Sequence, residues 1–185
     1  MLIGGIALGL ILGLLLGGRL ENLANIRLRF ITLLFVAVII RFGTEVALSA
    51  GVPVAETLRM PLLALSYGLL LFTLWWNRFY PGLALAFIGI ASNALVIMVN
   101  GGRMPVWMPA FDASGLTGPL DSVMHIELAA RIQEDFLLRL GPLADIIPIP
   151  FEPVRNVASI GDVFLTAGLG FFLFATLLRS PEETE

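Results

Sequence analysis

The chain has no cysteine, no lysine and a single histidine among its 185 residues. Without cysteine there are no disulfides, no thiolate-bound metals, no iron–sulfur clusters and no cysteine nucleophile. Without lysine there is no Schiff-base chemistry and no lysine general base, and all eleven basic residues are arginine. One histidine without thiolates makes no standard zinc set, so a metal site is not expected. HExxH, a glycine-rich phosphate loop and a nucleophile elbow are also absent. The net charge of −3 lacks the basic excess of a nucleic-acid binder. Charge of either sign is scarce, at 14% against 58% hydrophobic residues, and the mean hydropathy is +0.94. That balance is too apolar for a soluble domain of this size.

What is present is a set of five long apolar runs, at 2–17, 30–50, 60–76, 80–99 and 157–178. A bilayer-spanning helix needs about 20 apolar residues, and each run approaches that length. The expected fold is an all-α integral membrane helical bundle of about five transmembrane helices. A single membrane domain is expected over 1–179, with spans at about 2–18, 28–50, 59–77, 80–100 and 158–179, an outer cap over 101–157 and a tail over 180–185. The first run lacks a positive leading segment and an Ala-x-Ala site, so it is expected to be retained as a span. Arg19, Arg27, Arg29, Arg78 and Arg179 share one side of such a bundle. Six arginines lie on the other side, four of them in the long cap segment. Short loops orient a membrane protein more than long ones. The expected topology therefore puts the N-terminus outside and the C-terminus in the cytoplasm.

Gly5, Gly9, Gly13 and Gly17 recur every fourth residue along the first span. A face without Cβ atoms lets another backbone come close, either a neighbouring span or another membrane subunit, including a second copy. Trp75, Trp76, Phe79 and Tyr80 mark the turn of a hairpin between spans three and four, as aromatic residues do at a membrane interface. Between spans four and five, an amphipathic outer helix is expected from Asp121 or Ser122 to Leu140, where Gly141-Pro142 stops it. It would carry Glu127–Arg131 and Asp135–Arg139 pairs at i,i+4 spacing. Ser159-Ile160-Gly161-Asp162 reads as a capping box for the last span.

The polar residues kept near the membrane are the candidate site. Arg41 and Glu45 form a possible intramembrane pair, since ions at that depth are costly and often functional. Asn93 and Asn100 lie on one face of span four. The cap brings Arg103, His125 and Asp145 towards Asp162, and either carboxylate is an expected partner for Arg103. Asp121 is spaced to orient the His125 imidazole. Three readings follow. The first is a non-catalytic membrane protein, an accessory subunit or binding module for a partner protein or an amphiphilic ligand such as a lipid or quinone. The second is a small transporter or channel using Arg41, Glu45, Asn93 and Asp162. The third is a membrane enzyme using Arg103, His125, Asp145 and Asp162. No cofactor is specified by any of these residues.

Several segments together resemble a known family. They are Gly17-Gly18-Arg19-Leu20 with Asn22-Leu23, Asn100-Gly101-Gly102-Arg103-Met104-Pro105, the lone His125, Asp145-Ile146-Ile147-Pro148 and Ser159-Ile160-Gly161-Asp162-Val163. In order and spacing they are similar to small bacterial multi-spanning membrane proteins catalogued only as a domain of unknown function. The resemblance covers nearly the whole chain. It implies a bacterial membrane protein and implies no activity.

Overall fold

In the computed structural model, residues 2–128, 134–152 and 154–179 are described. The five apolar runs are all helical: α1 (Leu2–Leu15), α3 (Ile31–Ser49), α4 (Pro53–Trp76), α5 (Leu83–Val99) and α8 (Ile160–Leu177). A short α2 (Glu21–Ala24) lies between the first two. By length and composition α3, α4 and α8 can each cross a membrane. The apolar α1 and α5 are shorter, with 14 and 17 residues, or about 21 and 25 Å at 1.5 Å per residue.

The expected boundaries shift most at α4, which starts six residues early. Pro53 begins it, where a missing N–H costs nothing. This brings Glu56 and Arg59 into the helix. The other shift is at Gly17, which was expected to continue the glycine ridge. It lies beyond the end of α1 with φ 90°, and a Cβ there would touch nothing. The Gly18 N–H donates to Gly13 O at 2.9 Å and the Gly17 N–H to Leu14 O at 3.1 Å. This is the six-to-one and five-to-two pattern that closes a helix through a left-handed residue. Gly101 and Gly102 close α5 the same way, on Met98 and Ile97.

The five long helices pack in a row, in the order α3, α4, α5, α8, α1. Glycines permit close approach at two of the contacts. A Cβ at Gly9 would collide with the Gly170 carbonyl, and one at Gly5 with Thr166. Gly13 faces Leu177, so α1 runs parallel to α8. On the other side of α8, Gly161 and Gly168 meet Gly89 and Gly82 of the α5 segment in antiparallel order. Ser66 donates to Ala37 O at 2.9 Å between α4 and α3. Leu63 packs with Val96, and Leu74 with Leu83, between α4 and α5. Adjacent sequence elements of the row are therefore antiparallel. Many large apolar side chains remain outside the packing, including Phe35, Ile39, Phe42 and Phe171.

A long connection joins α5 to α8 over one end of the row. It holds β1 (Met104–Trp107), α6 (Met108–Ala113), β2 (His125–Leu128), α7 (Glu134–Leu138), β3 (Ile147–Ile149) and β4 (Asn156–Ala158). The strand β1 pairs in parallel with β2, and β3 pairs antiparallel with β4. The expected outer helix from Asp121 or Ser122 to Leu140 is thus replaced over 125–128 by a strand, and α7 is what the described residues retain of it. The reason is non-local: β1 supplies a partner ladder, with Met104 opposite His125 and Trp107 opposite Leu128. The Glu127–Arg131 pair lies partly outside the described residues. At the opposite end, the connection from α1 to α3 crosses beneath α8 and the α4–α5 turn. Asn22 donates to Leu177 O and Arg179 O at 2.8 and 2.9 Å.

Candidate functional site

The first polar cluster forms where the cap folds back on the start of α4. Arg59 is only 3% exposed. Its Nη2 and Nε donate to Glu56 Oε2 at 2.6 and 3.3 Å, and its Nη1 donates to Val123 O at 2.6 Å. Arg103 Nη2 donates to the other carboxylate oxygen, Glu56 Oε1, at 3.2 Å. One carboxylate thus receives two guanidinium groups, one from a span and one from the cap. A buried guanidinium needs such a counterion, because charge is costly to desolvate alone. The expected partners of Arg103, Asp145 and Asp162, do not fill this role. The cap closes over α4, and Glu56 is the carboxylate it meets.

Beside this cluster is an open cavity of about 350 Å³, lined by Arg103, Ser122, His125 and Glu127 with Leu120 and Ile126. His125 Nδ1 is buried with no hydrogen-bond partner. Asp121 does not orient the ring as its spacing suggested. Its carboxylate accepts the Val123 N–H at 2.9 Å, and its carbonyl accepts the His125 N–H at 2.9 Å.

Asp145 lies on the other side of β1. Its N–H donates to Pro105 O at 3.0 Å and its carbonyl accepts from Trp107 N–H at 2.9 Å. The side chain is buried, and Oδ1 has no partner. Burial, and then the negative charge of Asp162, push its carboxyl up to about 8. Trp107 Nε1 is a third buried polar atom in the cap without a partner.

The remaining candidates are tied into the fold. Asp162 Oδ1 accepts from Asn93 Nδ2 at 2.7 Å, and Ser159 Oγ donates to Asn93 Oδ1 at 2.8 Å. Ser159 and Asp162 also complete the capping box of α8. This closed cluster of three side chains joins α5 to the start of α8. Asn100 donates to Val96 O and Arg139 O at 2.8 and 3.0 Å, fixing the end of α5 to the cap. Arg41 and Glu45 pair at 3.3 Å on one face of α3, both partly exposed. The structure therefore brings Arg103 together with His125, Asn93 with Asp162, and Arg41 with Glu45. Sequence reading missed Glu56 and Arg59. Their one signal was an acid and a base three residues apart at the edge of an apolar run.

A family model matches residues 25–174, and its description is a family of unknown function, DUF5317. The chain belongs to this family. An uncharacterized protein of Thermotoga maritima is 32% identical over 117 residues, 63% of this chain and 63% of that protein. The match thus spans less than two thirds of the length of that relative. No solved structure matches the chain. The DUF5317 assignment supplies no chemistry, so the geometry of the cap carries the functional reading.

Proposed function

We propose that the chain is a five-span protein of the bacterial cytoplasmic membrane that binds the polar head of an amphiphilic ligand, a lipid or quinone, in its cap without transforming it. The carrying observation is that Arg103 and His125 line one open cavity beside the Arg59–Glu56 cluster. Arg103 supplies further N–H donors beyond the one given to Glu56. His125 supplies a nitrogen that a ligand hydroxyl or carbonyl would satisfy. The alternating helix directions support five crossings. Arg19, Arg27, Arg29, Arg78 and Arg179 gather at one end of the row and support a cytoplasmic placement of that end. The cap then faces outward. We read the Gly5, Gly9 and Gly13 ridge as an intramolecular seat for α8, and an accessory role beside a partner subunit as compatible with it.

Native mass spectrometry of the purified full chain tests the ligand reading. Wild type is expected to retain a small amphiphile. Arg103→Gln and His125→Gln are each expected to lose it with an unchanged circular dichroism spectrum. Glu56 keeps Arg59 as a partner in the first variant, so the α4 cluster persists. Equal retention by both variants overturns the assignment.

A further inference from the structure

The end of the row opposite the cap is built differently. Among the described residues, all four ion pairs lie in α3, the start of α4 and the cap. Arg27, Arg29 and Arg78 have no carboxylate within 4.0 Å among the described residues, yet they line one concavity of about 600 Å³. Trp75, Trp76, Phe79 and Tyr80 complete its wall. Three cations facing one space repel each other unless an anion joins them.

We propose that this concavity binds the phosphate of an anionic phospholipid. The cradle is prebuilt from segments distant in sequence. Buried Asn77 donates through Nδ2 to Arg29 O and Thr73 O, both at 2.8 Å, and accepts the Arg29 N–H at 2.9 Å. The Tyr80 hydroxyl donates to Arg27 O at 3.0 Å. These ties hold the α1–α3 connection against the α4–α5 turn and so set Arg27 and Arg29 beside Arg78. Arg78 is itself fixed. Its Nη1 donates to Trp75 O at 2.7 Å, and its guanidinium lies 4.1 and 4.5 Å from the Trp75 and Phe79 ring centres. Its remaining N–H groups are free to meet phosphate oxygens, which the planar guanidinium matches in pairs.

The aromatic rim selects a lipid over free phosphate. Trp75, Trp76 and Phe79 are 50%, 43% and 83% exposed. Such rings belong at the head-group level of a bilayer, where an apolar body and a polar edge are both served. Arginine at that level attracts anionic lipid. The site rests on the membrane reading above but is separate from the cap cavity.

The test uses the full chain purified in detergent and transferred to nanodiscs of phosphatidylcholine with or without phosphatidylglycerol. Phosphatidylglycerol is expected to raise the thermal midpoint and to stay bound in native mass spectra, whereas phosphatidylcholine does neither. Arg27→Gln with Arg29→Gln is expected to weaken retention about fivefold per arginine removed. Both residues contribute to the ties only through their backbones, so the variant keeps the cradle. Arg155→Gln, on the cap, is expected to leave retention unchanged. Equal retention of the two lipids, or full retention by the double variant, overturns the proposal. An equal midpoint shift from millimolar inorganic phosphate alone overturns the lipid assignment. A chain that stays soluble without detergent defeats the membrane reading instead, and that result appears before any lipid is compared.

Discussion

A carboxyl group withdrawn from water holds its proton, and Asp145 is buried beside β1. Its ordinary value is 3.8 and its folded value about 8. Between those values the unfolded chain has released a proton that the folded chain keeps, so Asp145 lowers stability steadily as pH rises from about 4 to about 8. Above that window both states are ionised and its contribution is flat. Thermal midpoints in detergent at pH 5 and pH 8 check this: the wild-type midpoint is expected to fall over that interval more than that of Asp145→Asn. Ser159 shows the opposite situation, a polar group with every partner in place. Ser159→Ala removes the α8 cap, which costs about 1 kcal/mol. It also takes away the donor to the part-buried Asn93 Oδ1, at a cost up to the ~1–3 kcal/mol of a fully buried unmet acceptor. Denaturant titration in micelles is expected to show a loss within that combined range. The capping role of Ser159 and Asp162 was legible because it depends on residues three apart. The partnership with Asn93 was not, because it depends on which helix lies alongside.

Local pattern and tertiary pairing separate in the same way among the elements. The helices of the row follow from uninterrupted apolar length, which needs no knowledge of neighbours. The four residues His125-Ile126-Glu127-Leu128 fell within the expected outer helix, and the i,i+4 pair from Glu127 favoured that reading. The β1 ladder decided the matter, and nothing within 121–140 announces it. The matched seven-residue spacings of Gly82–Gly89 and Gly161–Gly168 were visible, but they acquire meaning only once α5 and α8 are adjacent. The α1 ridge supplies an internal control for this kind of contact. Gly9 lies against the Gly170 backbone, whereas a Cβ at Gly4 would meet nothing within 4 Å. Gly9→Leu forces two backbones apart and is expected to cost at least the 1–3 kcal/mol or so typical of overpacking. Gly4→Leu is expected to leave the thermal midpoint unchanged. Equal behaviour of the two variants in a thermal melt would remove close packing as the reason for the ridge.

For the molecule as a whole, the one-helix-thick row leaves apolar side chains on its outer surfaces for lipid to cover. The expected topology can be read directly because the chain has no native cysteine. Thr117 and Asn25 are exposed at opposite ends of the row. In intact cells, Thr117→Cys is expected to react with a membrane-impermeant thiol reagent, and Asn25→Cys only after permeabilisation. The reverse pattern would place the cap inside and remove the basis for an outward-facing ligand cavity. The positions of the arginines along the chain are the basis for this expected orientation. That Arg41, Arg59, Arg103 and Arg155 pair with carboxylates, whereas Arg27, Arg29 and Arg78 have none within 4.0 Å among the described residues, depends on folding and could not be counted from the sequence.

The parallel contact between α1 and α8 also sets a timetable. A ribosome makes α1 well before α8, with a delay of roughly 10–30 s for the intervening stretch at ~5–20 residues per second. Throughout that interval the surface of Gly5, Gly9 and Gly13 has no mate from its own chain. Insertion machinery, lipid or a chaperone must shield it until α8 is made. A nascent chain arrested before residue 160 should therefore expose an α1 accessible to a lipid-soluble crosslinker that the protein with α8 docked does not. The helix made later locks the earlier one into place.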